Sequence, residues 1–379
     1  MQKKIAVIGN NWFPTQPGGL DRYVYELVHG LVGLDYGVDL YGFGLPAQST
    51  VPALNLHNLA SHDQGLVQRL SSAYGRSRGL GQGELQAVNL HFALYSFAAL
   101  PHLPHGVPVT CNFHGPWALE SQQEGAGRLS VAFKQWVEQR VYSRCDRFIV
   151  LSKAFGTVLH QHYGIPWERI HIIPGGVDTT RFQNNLARDA ARTHLGWPSD
   201  RFVLFTPRRL VQRMGIGPLL SALVQVRQQV PEVWLAIAGK GPLRAALARQ
   251  ATELGLDDCV RFLGFVPDDD LPVAYQAADL TVIPSQALEG FGLVLLESLA
   301  CGTPAVCTPV GGMPEVLLPF NPDLVFTSGG EGAIAQRLLD FGQRKMPLPS
   351  RDDCRAYAEG FAWGAIASQV SKILLQTAL

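Results

Sequence analysis

The chain carries no surplus of either charge: Lys and Arg number 31, Asp and Glu number 31, and the formal net charge is zero. Binding along a phosphate backbone needs a bulk basic surface, so nucleic acid is not a favoured partner. No uninterrupted apolar run approaches the length of a membrane span, and no low-complexity tract occurs. No secretory signal is expected, because Lys3-Lys4 is followed by only a short apolar stretch, Ile5 to Ile8, and then by Asn10-Asn11. The six cysteines, Cys111, Cys145, Cys259, Cys301, Cys307 and Cys354, form no C-x-x-C pair and have no histidine at zinc-site spacing. They are expected as reduced, mostly buried thiols. What remains is a 379-residue chain that is 47% hydrophobic, too long for one ordinary core. Two soluble, cytoplasmic domains are expected, with peripheral contact to a membrane left open.

Apolar strands alternate with helical spacing along the whole chain, which is the pattern of parallel sheets covered by helices, an α/β class. In the first half the strands are Ile5–Ile8, Val38–Tyr41, Val88–His91, Val107–Asn112 and Phe148–Leu151. The loop after the first of them ends in Pro17-Gly18-Gly19, a helix start able to present bare N–H groups to an anion. Gly65 to Glu84 reads as a loose segment whose arginines, Arg69, Arg76 and Arg78, belong to a solvated loop or face an acceptor or an anionic surface. Its G-L-G-Q-G-E run lacks the third glycine of a dinucleotide fingerprint and follows no strand, so that reading is rejected. The pattern breaks at Pro174-Gly175-Gly176 and restarts with strands Phe202–Thr206, Val233–Ala238, Val260–Phe265, Leu280–Ile283 and Ala305–Cys307.

The strongest stretch is P-S-Q-A-L-E-G-F-G-L-V-L-L-E, Pro284 to Glu297, a glycine-rich turn between a strand and a helix. Gly290 and Gly292 let backbone approach a ligand, and the helix start suits a phosphate. Glu289 and Glu297 can accept hydrogen bonds from sugar hydroxyls. Beyond the strand Phe202–Thr206, the pair Arg208-Arg209 and then Arg213 can neutralise a diphosphate. His114 lies just past the end of a strand, where ligands bind in such sheets. Asp268-Asp269-Asp270 reads as the acidic start of a short helix rather than a metal site. Gly239-Lys240-Gly241-Pro242 is not a phosphate loop of the Walker type, since G-K-[ST] is absent.

The string E-G-F-G-L-V-L-L-E-S-L-A-C-G-T-P-A-V resembles the Glu-x7-Glu signature of the retaining glycosyltransferases of family 4. The run G-G-L-D-R-Y-V-Y-E-L resembles that family's first loop, and the G-K-G-P turn and V-G-G-M-P-E also fit. The resemblance implies the GT-B fold, two Rossmann-like α/β/α domains facing each other across a cleft. Residues 1–174 would bind the acceptor and 175–358 the nucleotide sugar, while a helix in 359–379 crosses back to the first domain. Asp178 and Phe182 match a linker motif.

By the same resemblance, Gly18 and Gly19 reach the donor diphosphate, and His114 lines the cleft near the transferred sugar. Arg209 matches the family arginine, Lys240 sits near the phosphates, and the backbone around Val266 meets the nucleobase. Gly290, Phe291, Gly292 and Leu293 cradle phosphate, Glu289 holds the sugar hydroxyls and Glu297 the ribose. The usual lysine five residues after Arg209 is absent. Met214 stands there, and Arg213 is expected to supply the charge. The implied reaction moves a sugar from a nucleoside diphosphate sugar to an acceptor hydroxyl on a glycan or glycolipid, without a metal or other cofactor. Trp117 and Glu120 are candidates for acceptor contact. A GT-B sugar-nucleotide 2-epimerase and a non-catalytic nucleotide-sugar-binding protein are the alternatives.

Overall fold

The computed structural model describes residues 3–16, 18–80, 84–183 and 185–376. The chain divides into two compact units: one runs to Gly176 and takes in the segment from Trp363, and the other is Val177–Ala362. The divisions lie a few residues beyond the boundaries read from the sequence.

Among the described residues, the first unit holds a seven-stranded parallel sheet in the order β3-β2-β1-β4-β5-β6-β7. The strands are β1 (Lys4–Asn11), β2 (Gly37–Phe43), β3 (Leu54–Ala60), β4 (Leu85–Leu90), β5 (Val109–Phe113), β6 (Arg147–Val150) and β7 (Ile170–Ile172). Period-two alternation divides the central strand between two cores. Ile5 and Val7 pack with Tyr23, Val24, Leu27 and Leu31 of the helix Gly19–Gly33, whereas Ala6 and Ile8 join a cluster on the other face. The order reverses between β1 and β4, so the loops that follow β1 and β4 flank a crevice at the carboxyl edge.

The helix Trp363–Leu374 completes the first of these cores through Ile366, Val370 and Leu374, spaced four residues apart along one face. Fully burying each such side chain contributes about 1.5–3 kcal/mol. The chain leaves and re-enters this unit at neighbouring points. Val177 N donates to Phe361 O at 2.9 Å, and a Cβ on Gly176 would lie 2.6 Å from the Trp363 ring.

The second unit holds a five-stranded sheet ordered β10-β9-β8-β11-β12, with all pairs parallel. Its strands are β8 (Phe202–Pro207), β9 (Val233–Ala238), β10 (Val260–Gly264), β11 (Leu280–Ile283) and β12 (Ala305–Cys307). Here the order reverses between β8 and β11, which makes the loops after these two strands the expected ligand-binding edge.

One expectation is corrected. Most of the segment Gly65–Glu84 is not loose: Leu66–Arg76 is a helix, and β3 precedes it unannounced. An edge strand with Asn55, His57 and Asn58 shows little apolar alternation. Its Asn55 Nδ2 instead donates to Asp39 Oδ1 at 2.8 Å. Arg69 and Arg76 are also not simply solvated, since they donate to Tyr95 Oη at 3.3 Å and Asn58 O at 2.9 Å. Gly81 and Gly83 of the rejected fingerprint, and Pro17, lie outside the described residues. The acidic triplet does open a helix, Asp270–Ala277, with Asp268 held by Arg181 at 3.1 Å. All six cysteines are free and buried. Among the described residues no helix is long and apolar enough to cross a membrane.

Glu138 is buried on the helix Arg128–Tyr142, where it accepts from Trp117 N at 2.8 Å, Ala118 N at 3.3 Å and Tyr163 Oη at 2.9 Å. Burial, outweighing these bonds, pushes its carboxyl up to about 7. The folded value therefore lies above the unfolded one. Its stabilising share is fully present below the unfolded value and is lost as pH rises through about 7. Thermal melts from about pH 5 to about pH 8 are expected to show a decline that Glu138→Gln, which cannot ionise, reduces. Parallel profiles for the two proteins would exclude Glu138 as the source.

Candidate active site

At the reversal point of the second sheet, the loops after β8 and β11 meet through side chains. Arg208 N still bonds to Ala238 O at 2.8 Å, so the strand geometry of β8 extends past Pro207. Arg208 thus shares the parity of Thr206, which is buried and donates to Val282 O at 3.0 Å. The Arg208 guanidinium is buried, with Nη2 3.2 Å from Glu289 Oε2 and 3.7 Å from Met313 Sδ. Ser285 Oγ donates to the same Glu289 oxygen at 3.2 Å and lies 3.7 Å from the Met214 Sδ. Met214 is buried, with its thioether against the Ser285 hydroxyl. The Nε of Arg208 is buried and has no hydrogen-bond partner among the described residues.

The expected arginine, Arg209, is exposed on the loop that follows β8. Arg213 is half-buried and donates from Nη1 to Leu288 O at 3.2 Å, so its fork braces the turn that carries Glu289. That turn is closely packed. Leu288 adopts φ +49°, and Gly311, at φ +59°, lies so near that a Cβ there would sit 1.9 Å from Glu289 O. Gly290 and Leu293 are half-buried, and Phe291 and Gly292 are buried at the start of the helix Leu293–Ala300. Glu297 is buried on that helix and accepts from Tyr275 Oη at 2.8 Å. Lys240 is exposed with its Nζ 5.1 Å from the centroid of Phe265, and Val266 is half-buried just past β10. Among the described residues, no three His, Cys, Asp or Glu side chains gather as a metal would need.

In the first unit, Gly18 caps the helix Gly19–Gly33 in extended conformation. Asp21, buried in that first turn, accepts from Asn11 N at 2.9 Å, and burial raises its carboxyl above the usual range. A carboxyl group thus shares the helix start expected to face an anion. His114, just past β5, is half-buried, and its Nε2 lies 2.9 Å from Nδ1 of His91. Burial pushes the His114 imidazole down to about 4.

Two functional candidates escaped the sequence reading. Arg208 is one of a pair in the sequence, and because both faces of β8 are buried only the folded site separates it from Arg209. His91 was read as the end of a strand. Asn89, Thr110 and Asn112, polar residues in otherwise apolar buried strands, were the available sign of a hydrogen-bond network there.

Residues 17–181 match the family described as Glycosyltransferase Family 4, and residues 187–361 match Glycosyl transferases group 1. Over 345 residues the chain is 38% identical to the GDP-mannose-dependent alpha-(1-6)-phosphatidylinositol monomannoside mannosyltransferase of Mycolicibacterium smegmatis, with 87% of each chain covered. The structure resembles sucrose-phosphate synthase (tll1590) of Thermosynechococcus elongatus, with a TM-score of 0.78, 23% identity and 98% of each chain covered. Anabaena Alr3699/HepE in complex with UDP-glucose superposes with a TM-score of 0.75 at 22% identity, over 98% of this chain and 99% of that one. With both halves matched and a relative this similar along most of its length, the chain belongs to the glycosyltransferases of family 4 and has the GT-B fold.

Proposed function

We propose that the chain transfers a sugar from a nucleoside diphosphate sugar to an acceptor hydroxyl with retention at the anomeric carbon. The observation that carries this reading is the buried Arg208–Glu289 pair at the reversal point of the second sheet. Cleaving the anomeric C–O bond leaves negative charge on the diphosphate. A preorganised guanidinium and the start of the helix Leu293–Ala300 suit that charge as it develops. Glu289 then has one carboxylate edge on Arg208 and Ser285, and the rest of its acceptor capacity serves sugar hydroxyls. No covalent nucleophile is assigned. In front-side attack the leaving phosphate takes the proton of the acceptor hydroxyl, and no metal is required. Glu297 is the candidate for the ribose, and Lys240 and the Val266 backbone are candidates for the phosphates and nucleobase.

The test is nucleoside diphosphate release from a panel of donors in the presence of a chelator, with glycan and lipid acceptors added. GDP-mannose and UDP-glucose head the panel, since one names the mycobacterial relative's donor and the other occupies the Anabaena structure. Release raised by acceptor supports transfer, whereas an altered sugar without acceptor would favour the epimerase. Met214→Lys separates the remaining alternative. It places a cation in a buried position against Ser285, so turnover is expected to fall. A large gain would indicate a decayed, non-catalytic site.

The acceptor is proposed to lie at the inner face of a membrane. Helices Leu66–Arg76 and Arg128–Tyr142 flank a groove of about 530 Å³ lined by Leu70, Tyr74, Phe97, Leu100, Trp136 and Arg140. Around it Val67 is 81%, Leu129 89% and Phe133 52% exposed. The first helix has no acidic residue and the second has only the buried Glu138, while Arg69, Arg76, Arg128, Lys134 and Arg140 supply positive charge. Apolar tips with basic stems suit an anionic bilayer, each cation near the surface contributing about 1 kcal/mol. Flotation with phosphatidylglycerol-containing vesicles is expected to carry the protein in low salt, and the double variant Leu129→Asp, Phe133→Asp to stay behind. Equal flotation of both would remove the membrane from the reading.

A further inference from the structure

The crevice of the first sheet contains a line of hydrogen bonds whose direction is determined by one backbone carbonyl. Asn89 Nδ2 lies 3.1 Å from Thr110 O, which can only accept, so that atom is the amide nitrogen and its neighbour Oδ1 is an acceptor. The same Nδ2 donates to Asn112 Oδ1 at 2.8 Å, and Asn112 Nδ2 donates onward to Tyr23 Oη at 3.0 Å. Asn89 Oδ1 lies 2.7 Å from His91 Nε2, which must therefore carry a proton. Burial disfavours the charged ring of His91 and holds it well below the usual imidazole range, so the ring is neutral and its Nδ1 is a lone pair. At 2.9 Å from that lone pair, His114 Nε2 is the donor.

We propose that His91 is a positioning residue that holds His114 as the Nε2–H tautomer and leaves His114 Nδ1 as an acceptor for a sugar hydroxyl. This rests on the transfer reading. His114 Nδ1 has no partner among the described residues, and its half-buried ring is within reach of a ligand. Packing restricts the ring plane as the hydrogen bond sets the tautomer. The Tyr23 ring meets His114 edge-on at 4.9 Å and is itself backed by Trp363 at 5.0 Å. Two imidazoles with no carboxylate between them give an acceptor that stays uncharged, unlike a His–Asp pair. Such an acceptor takes a hydrogen bond from a neutral hydroxyl without becoming a base strong enough to remove its proton.

The tautomer is read directly by long-range 1H–15N correlation on the full chain with labelled histidine. His114 is expected to show a pyridine-like Nδ1 and a protonated Nε2, unchanged between about pH 6 and about pH 8. In His91→Leu the Nε2 donor loses its acceptor and kcat/KM is expected to fall about tenfold, the size of one neutral hydrogen bond. His91→Gln, whose amide oxygen can accept the same bond, is expected to restore most of that loss, which a mere packing role would not predict. A protonated Nδ1 on His114 in the wild type overturns the proposal, as does an unchanged kcat/KM in His91→Leu. Failure of the wild type to release nucleoside diphosphate counts against transfer itself, while the ring nitrogens decide the relay independently.

Discussion

Arg208→Ala is expected to lower turnover by about 10² to 10³, the usual cost of losing one preorganised donor at a developing negative charge. Arg209→Ala is expected to cost far less. The two residues are neighbours in sequence and equal in charge, so electrostatics in bulk cannot separate them. Geometry does: the Arg208 guanidinium is buried 3.2 Å from Glu289, whereas Arg209 is exposed. The loss in Arg208→Ala has two parts, since truncation also leaves the Glu289 carboxylate without its cation. Breaking a buried pair by removing one partner destabilises by about 3–5 kcal/mol, and partial exposure places this site at or below the lower end. The double variant Arg208→Ala, Glu289→Ala separates them, because it removes the orphaned charge and should recover thermal stability without recovering turnover. Turnover lost in Arg209→Ala and retained in Arg208→Ala would return the diphosphate contact to Arg209.

The second large effect is expected at a residue with no side chain. Gly311 adopts φ +59°, and a Cβ there would sit 1.9 Å from the carbonyl oxygen of Glu289, which also accepts from Gly312 N at 2.9 Å. No rotamer relieves such an overlap, because the clash is between backbone and Cβ. Gly311→Ala must therefore push the Glu289 turn away from the loop after β12. Left-handed backbone costs a non-glycine residue about 1–2 kcal/mol even without a clash. The expected result is a folded protein with weaker donor binding and a turnover loss of at least about tenfold, comparable in cause to displacing a reacting group by about 1 Å. Calorimetric donor affinity in Gly311→Ala equal to the wild type would show that the turn has room to move.

The fold was legible wherever a strand was buried on both faces, because such strands read as unbroken apolar runs. Ile5–Ile8, Phe202–Thr206 and Leu280–Ile283 are examples, and their sheets position both candidate edges. The edge strand β3 was not legible, since among the described residues one of its borders pairs with no strand, and its Asn55 answers to Asp39 rather than to a core. Helix Leu66–Arg76 does carry Leu66, Val67, Leu70, Ala73 and Tyr74 on one face, but Ser71, Ser72, Gly75 and the glycines that follow gave the segment the composition of a loop. At the candidate site, Glu289 was found by its spacing within a recognisable string. Arg208 required knowing that β8 runs one residue past its last apolar position. His91 required knowing which strands lie side by side, because its partners Asn89 and His114 come from β4 and from the loop after β5.

The helix Trp363–Leu374 gives the first unit an unusual schedule. Its residues complete the core around β1 and the helix Gly19–Gly33, yet they are translated after the whole of Val177–Ala362. During synthesis the first unit lacks one wall for as long as Val177–Ala362 is being made. At about 5–20 residues per second the interval is on the order of ten to forty seconds. The order of completion is therefore the reverse of the order of the sequence, and the unit begun first is the one finished last.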